Sequence, residues 1–179
     1  MIRLVESRQE DFMRDNIQML SWNASVQRAH LYNPGVSESD RVRMKEDMFR
    51  LLETDIVPSY RVACTESAHL ENIGRLVQKG SGFGSSILVG GQYRYGVAQK
   101  LLNLYLKYLW CMGHVAEPPH CPVDRIILAE TTLRDRLNWT KITTREQYMS
   151  AINALRQVAT AQGQSLAVWE LLNYRSNRK

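Results

Sequence analysis

Apolar residues recur with helical spacing along the first half of the chain. In a helix over about 8–30, four apolar residues stand at offsets 0, 4, 7 and 11 and share one face: Met13, Ile17, Leu20 and Ala24. A second helix, capped by Ser37 or Ser39, ends before Pro58 and has a similar apolar face: Met44, Met48 and Leu51. A short strand is expected over 60–65, and a third helix runs from Ser67 to Val77.

The middle of the chain carries a run of glycine and serine. Three glycines, at 80, 82 and 84, and three serines, at 81, 85 and 86, make up most of residues 80–86, a composition typical of a flexible segment. We therefore expect one domain over 1–179, with two lobes at about 1–79 and 87–179 and a hinge at 80–86. The segment 87–95 contains two adjacent glycines between apolar and aromatic residues, which indicates a small β-hairpin.

The second half is again helical. The clearest helix is Val97–Met112, an apolar run that Gly113 ends, and another is expected from Asp124 to Leu137. Arg145–Ala161 follows, with Thr143 and Glu146 in the positions of a capping box. Ser165 caps the last helix. The fold class is therefore mainly α, in a compact two-lobed helical domain with at most a small hairpin.

Composition narrows the class of protein. Hydrophobic residues make up 44% and charged residues 23% of the 179 residues, which is ordinary for a globular domain and excludes a disordered chain. No apolar stretch is long enough to span a bilayer, so we expect no membrane partner. The cysteines are odd in number and show no disulfide-framework spacing, which favours a reducing, cytoplasmic location.

The net charge of +5 is unevenly distributed. Residues 1–130 contain 15 Lys or Arg and 15 Asp or Glu, whereas residues 131–179 contain 8 and 3. A one-sided excess of cations indicates a polyanionic partner, nucleic acid above all. The alternative is that Arg134, Arg136 and Arg145 simply solvate helix faces.

The helix over Val97–Met112 carries a polar stripe within its apolar run. Lys100, Asn103 and Lys107 stand at offsets 0, 3 and 7, which places them on one face. Because apolar residues surround this stripe widely, we expect the helix to be central and the stripe to face a cleft. The alternative is that the stripe faces bulk water.

Two short motifs flank this helix. The stretch Gly96-Val97-Ala98-Gln99-Lys100 opens it, and Pro122-Val123-Asp124-Arg125 places an aspartate 24 positions after the lysine. Together, over about 30 residues, they resemble the helix-hairpin-helix superfamily of DNA glycosylases, although Ala98 stands where that family usually has a second glycine. The resemblance implies a helix-hairpin-helix-like unit, with Lys100 as the nucleophilic lysine and Asp124 as the catalytic aspartate.

The function that this resemblance implies is excision of a base from DNA without a cofactor. The enzyme would flip a damaged or modified base into a cleft and cleave its N-glycosidic bond. Asn103 and Lys107 would line that cleft, and Tyr93 and Tyr95 could stack on an unpaired base. Contacts to the DNA backbone are expected from Arg94, Gly96, Arg134, Arg136, Lys141 and Arg145.

Alternatives remain open for both the site and the function. Asp124 follows a proline by two positions and precedes an apolar run. Its sole role could therefore be that of a helix N-cap, without any part in catalysis. A non-enzymatic helical module that binds nucleic acid or a protein is the rival function. Cys111, His114, His120 and Cys121 are zinc-type ligands, but adjacent His120 and Cys121 rarely reach one ion, and we assign no metal site.

Overall fold

A computed structural model describes the backbone of residues 2–176 and the side chains of residues 5–174. It is mainly α, as predicted, and within these residues the extended structure is one isolated antiparallel bridge between Tyr32 and Leu88. The α-helices are α1 Ile2–Val26, α2 Glu38–Leu51, α3 Glu66–Phe83, α4 Tyr95–Cys111, α5 Arg125–Leu128, α6 Arg145–Ala161 and α7 Leu166–Ser176. None of the helices described is both long and apolar enough to cross a membrane.

Side-chain caps fix several helix starts. The Ser37 hydroxyl accepts a hydrogen bond from the Asp40 amide at the start of α2, and that of Ser165 accepts from the Val168 amide before α7. Both predicted caps are thereby confirmed. The predicted capping box of α6 was wrong by one residue, because Thr144 and Gln147 form it.

Three predicted elements are wrong. The segment 60–65 is not a strand, because a π-helical turn, Leu52–Ile56, and a 3-10 helix, Val57–Tyr60, extend α2 and bury the Tyr60 ring. The hairpin over 87–95 does not form, since Gly90 and Gly91 both have a φ of 65° in a 3-10 turn. The helix expected to reach Leu137 stops at Leu128.

Local hydrogen bonds explain why α5 is short. The Thr131 hydroxyl donates to the Leu128 carbonyl at 2.9 Å and accepts from the Leu133 amide at 3.1 Å. These bonds give the backbone an alternative to helical pairing. Turns and a bend therefore occupy 129–136 and carry the arginines of this segment.

The apolar face predicted for α1 was partly wrong. Ile17 is buried, but Met13 and Leu20 are 43% and 46% exposed. The buried positions beside Ile17 are Trp22 and two serines, whose hydroxyls donate to carbonyls of the preceding turn. Small, internally bonded serines allow α1 to pack closely against α4, with which it makes its main contact.

The centre of the core is α4, in which 12 of the 17 residues are buried. Residues of both predicted lobes contribute to one continuous hydrophobic core around it. The predicted hinge begins as helix, because Gly80 lies inside α3, where a β-carbon would stand 2.8 Å from the Tyr93 ring. Movement of the two halves about 80–86 stays a prediction.

Candidate functional site

The three residues of the polar stripe of α4, Lys100, Asn103 and Lys107, have different partners. Lys100 Nζ lies 3.2 Å from Asp124 Oδ2, and the two side chains are 11% and 17% exposed. Asn103 is completely buried and donates to the Tyr148 hydroxyl and to Gln99 Oε1. Lys107 pairs with Glu170 at 2.6 Å. The expectation that Asn103 and Lys107 line a substrate cleft is therefore wrong.

Asp124 has two structural partners at once. Its Oδ1 accepts hydrogen bonds from the Ile126 and Ile127 amides at 2.8 and 3.1 Å, so it is the N-cap of α5. Its Oδ2 meets the Lys100 amine. The Asp124 carboxylate is thus the N-cap that the alternative interpretation predicted. It also contacts Lys100, the lysine that the glycosylase-like motifs pair with it.

The Lys100 amine is covered by an aromatic turn. It lies 4.3 Å from the centre of the Trp139 ring, a distance typical of a cation–π contact. Trp139 begins a 3-10 turn, Trp139–Lys141, which the Asn138 side chain caps. Trp139 is 5% exposed, so the ring separates the amine from the surface beyond it.

That surface is an open basic cleft of about 580 Å³. Five of its lining residues are cations: Arg28, Arg125, Arg134, Arg136 and Lys141. Asp135 is the one acidic residue of the lining, and Trp139 contributes to the wall. None of the five cations belongs to a salt bridge found within residues 5–174.

The cleft joins predicted and unpredicted residues. Arg134, Arg136 and Lys141 were singled out from the sequence, and the structure brings them to one place. Arg28 and Arg125 were missed. Arg125 could have been found from the sequence, because it directly follows Asp124, the predicted catalytic aspartate. Arg28 lies in a turn after α1, and no sequence pattern marks it. Arg145 is exposed at the start of α6 and is not among the residues lining the cleft.

Arg94 holds two sides of the cleft together. Its guanidinium donates to the Thr140 carbonyl at 3.0 Å and to the Ala29 carbonyl. These two carbonyls belong to the turns that carry Lys141 and Arg28. Arg94 was predicted to contact nucleic acid. These two bonds use only part of the guanidinium's five donors, so that contact stays a prediction. We call the cleft with its five cations and Trp139 the Arg94-braced cleft.

Gly96 has a packing role in place of the predicted phosphate contact. Its amide donates to the Ile142 carbonyl at 2.9 Å, and a β-carbon on it would overlap the Trp139 carbonyl oxygen. Glycine is required here because the 139–142 backbone touches α4 directly. The amide is therefore unavailable to a DNA phosphate.

Tyr93 and Tyr95 do not present their rings to solvent. They are 0% and 6% exposed, and burial raises the pKa of Tyr95 to about 12. Tyr95 packs against Tyr148, with ring centres 5.4 Å apart. The prediction that they stack on an unpaired base is wrong, because both rings are buried in the core, Tyr93 from the segment before α4 and Tyr95 from its first residue.

A buried hydrogen-bonded network was not foreseen from the sequence. His120 Nδ1 meets the Tyr148 hydroxyl at 2.9 Å, and its Nε2 meets Glu66 at 3.2 Å. The His69 ring contacts the His120 ring edge to face, with centres 4.7 Å apart. Burial lowers the pKa of His120 to about 4 and that of His69 well below 6.5.

This network is closed to ligands. His120 is 0% exposed, and the gap beside it has no space for a water molecule. Burial also raises the pKa of the Cys121 thiol, which keeps the sulfur protonated. Among the described residues, no three His, Cys, Asp or Glu side chains are placed to hold a metal ion. We therefore interpret the network as structural.

Comparison with protein-family models, with curated proteins and with solved structures found no match for the chain. The Arg94-braced cleft and the ion pair of Lys100 with Asp124 are the features of the chain from which a function can be inferred.

Proposed function

We propose that the chain is a helical module that binds nucleic acid through the Arg94-braced cleft. The observation that carries the proposal is the convergence of five exposed cations on a single concave surface that contains only one carboxylate in its lining. Cations that contact phosphates release condensed counterions, and this release supplies most of the affinity that is independent of sequence. The exposed rim favours binding of a backbone over enclosure of a small apolar ligand.

The setting of the cleft supports the same function. Arg94 ties the turns that carry Arg28 and Lys141, and Gly96 lets the Lys141 turn approach α4, so the backbone beneath these two cations is fixed before a ligand arrives. All three cysteines are free thiols in the structure, which agrees with the proposed cytoplasmic location.

A matched pair of variants tests the proposal. Arg134→Ala, Arg136→Ala and Lys141→Ala together remove three cations of the cleft. A control that replaces three other exposed cations, Arg43, Arg61 and Lys79, has the same net charge. At about 0.1 M salt, fluorescence anisotropy with a labelled duplex and a labelled single strand should show at least a tenfold loss for the cleft variant.

The control should stay within about threefold of the unmodified protein, because its cations lie outside the cleft. Equal losses in the two variants would show that net charge alone attracts the nucleic acid. No binding by the unmodified protein would remove the proposal altogether.

A DNA glycosylase-like enzyme is the second candidate. It is favoured by the 3.2 Å contact of Lys100 Nζ with Asp124 Oδ2, directly behind the cleft wall. Asp124 could accept a proton from the amine, whose nitrogen would then bond to the sugar C1′ as the C1′–N bond to the base breaks. The base would leave with the bonding electron pair.

The enzyme candidate has its own test. The protein should create abasic sites in DNA that carries a modified base, and Asp124→Asn should abolish this while keeping most of the cap. Borohydride should trap a Schiff base with the unmodified protein and none with Lys100→Gln. Inactivity of all three proteins on a broad panel of modified bases would eliminate the enzyme and leave the binding module standing.

A further inference from the structure

The charge of the Arg94-braced cleft is unusually concentrated. The lining of five cations and Asp135 has a formal excess of +4, because five positive charges less one negative leave four. A cleft of about 580 Å³ measures roughly 10 Å across, within the size range of sites for small ligands. Like charges held this close repel one another, and a ligand of matching charge density relieves that repulsion.

The cations also come from distant parts of the chain. Arg28 follows α1, Arg125 begins α5, and Lys141 ends the 3-10 turn after α5. The Arg94 guanidinium ties the Ala29 carbonyl to the Thr140 carbonyl and so holds the turns that carry the first and last of these. The five cations therefore converge on one concave surface and do not form a stripe along a single helix.

The charge spacing of possible ligands distinguishes between them. A duplex strand carries one charge per roughly 3.4 Å of axis, so about three of its phosphates span a cleft roughly 10 Å across. A triphosphate places three to four negative charges on adjacent phosphorus atoms. Guanidinium groups can bind phosphate oxygens in pairs, which suits a compact group of this kind.

We propose that the Arg94-braced cleft binds a triphosphate group, carried by the 5′ end of a nucleic acid strand or by a free nucleoside triphosphate. The proposal deepens the nucleic-acid-binding function proposed above and depends on it for the strand-end source. Arg28 and Arg125 contact the phosphates together with Arg134, Arg136 and Lys141. Leu137, Asn138 and Thr140 lie beside them in the lining and face the first sugar or base.

The experiment compares two otherwise identical labelled strands, one with a 5′-triphosphate and one with a 5′-hydroxyl. Anisotropy titrations at the same ionic strength should give at least about tenfold tighter binding of the triphosphate strand. ATP and inorganic triphosphate are added as unlabelled competitors, with sulfate at equal ionic strength as the control. Competition by ATP equal to that of the triphosphate strand identifies the free nucleotide as the source, and weaker competition identifies the strand end.

Variants separate the cleft from general charge. Arg28→Gln with Arg125→Gln should reduce the preference for the triphosphate strand to less than about threefold, whereas Arg43→Gln with Lys79→Gln should retain it. Circular dichroism and thermal melting establish that each variant is folded.

The possible failures are distinguishable. Equal binding of both strands, with no competition by triphosphate beyond that of sulfate, overturns the triphosphate proposal and leaves nucleic-acid binding intact. Binding of a fluorescently labelled ATP, titrated directly, without binding of either strand upholds the triphosphate site and overturns nucleic-acid binding. Absence of all binding overturns both.

Discussion

Replacement of Gly96 by alanine adds one methyl group at the contact between α4 and the turn that carries Trp139. The added β-carbon would overlap the Trp139 carbonyl oxygen and would lie 3.2 Å from the Ile142 β-carbon. The first of these neighbours is backbone, which cannot rotate out of the way. The 139–142 turn must therefore move away from α4.

Two opposing effects set the size of the change in stability. Overpacking of this kind usually costs about 1–3 kcal/mol, whereas alanine is preferred to glycine inside a helix by about 1 kcal/mol. Gly96 is the second residue of α4, where this preference is smaller. The net loss should be about 1–2 kcal/mol, which corresponds to a fall in Tm of roughly 2–8 °C for a chain of this length.

Gly74→Ala is the matched control, because Gly74 lies inside α3 and a β-carbon there would have no neighbour within 4 Å. It should stabilise the protein by up to about 1 kcal/mol. Urea unfolding followed by circular dichroism measures both changes. Since the displaced turn carries Lys141, Gly96→Ala should also weaken nucleic-acid binding. If Gly96→Ala were as stable as Gly74→Ala, the close approach of the turn to α4 would be refuted.

Three further predictions concern groups around the site. The free energy of unfolding should fall on acidification. The pKa of His120 is about 4 in the folded protein and about 6.5 in the unfolded chain. Between these pH values the unfolded state binds more protons, so lowering the pH favours it. The loss from His120 should be about 2 kcal/mol by pH 5, and a urea midpoint unchanged from pH 7 to pH 5 would contradict it. Tyr148→Phe should lower the free energy of unfolding by about 2–3 kcal/mol in the same urea assay, because it removes a hydroxyl that Asn103 and His120 both contact. A decrease below about 0.5 kcal/mol would refute this network. Arg94→Lys keeps the charge but should weaken nucleic-acid binding severalfold in anisotropy titrations, because one Nζ does not match the positions of the two guanidinium nitrogens that bond the Thr140 and Ala29 carbonyls. Unchanged affinity would refute the brace.

The sequence was most informative where the structure is determined locally. Helix α4 and its apolar run were predicted within two residues at its start and one at its end, because Leu and Lys favour helix and Gly113 ends it. The approach of Lys100 to Asp124 agrees with the two motifs that flank this helix. Chain connectivity alone places Asp124 near α4, since the loop after the helix returns along it.

The missed parts depend on contacts between distant segments. Arg28 reaches the cleft because α1 packs on α4, and no local pattern encodes that pairing. Tyr93 and Tyr95 were expected at the surface because they flank an arginine near glycines. Their rings are buried since Arg94 turns outward to the two carbonyls while its neighbours point into the core.

The dependence of affinity on salt tests the central claim most directly. For the unmodified protein, the logarithm of the association constant should fall linearly with the logarithm of the salt concentration. The variant that lacks Arg134, Arg136 and Lys141 should have a slope shallower by roughly 2–3, since each phosphate contact contributes about 0.9. The control that lacks Arg43, Arg61 and Lys79 should keep the original slope. Equal slopes for the cleft variant and the unmodified protein would contradict binding of nucleic acid in the Arg94-braced cleft.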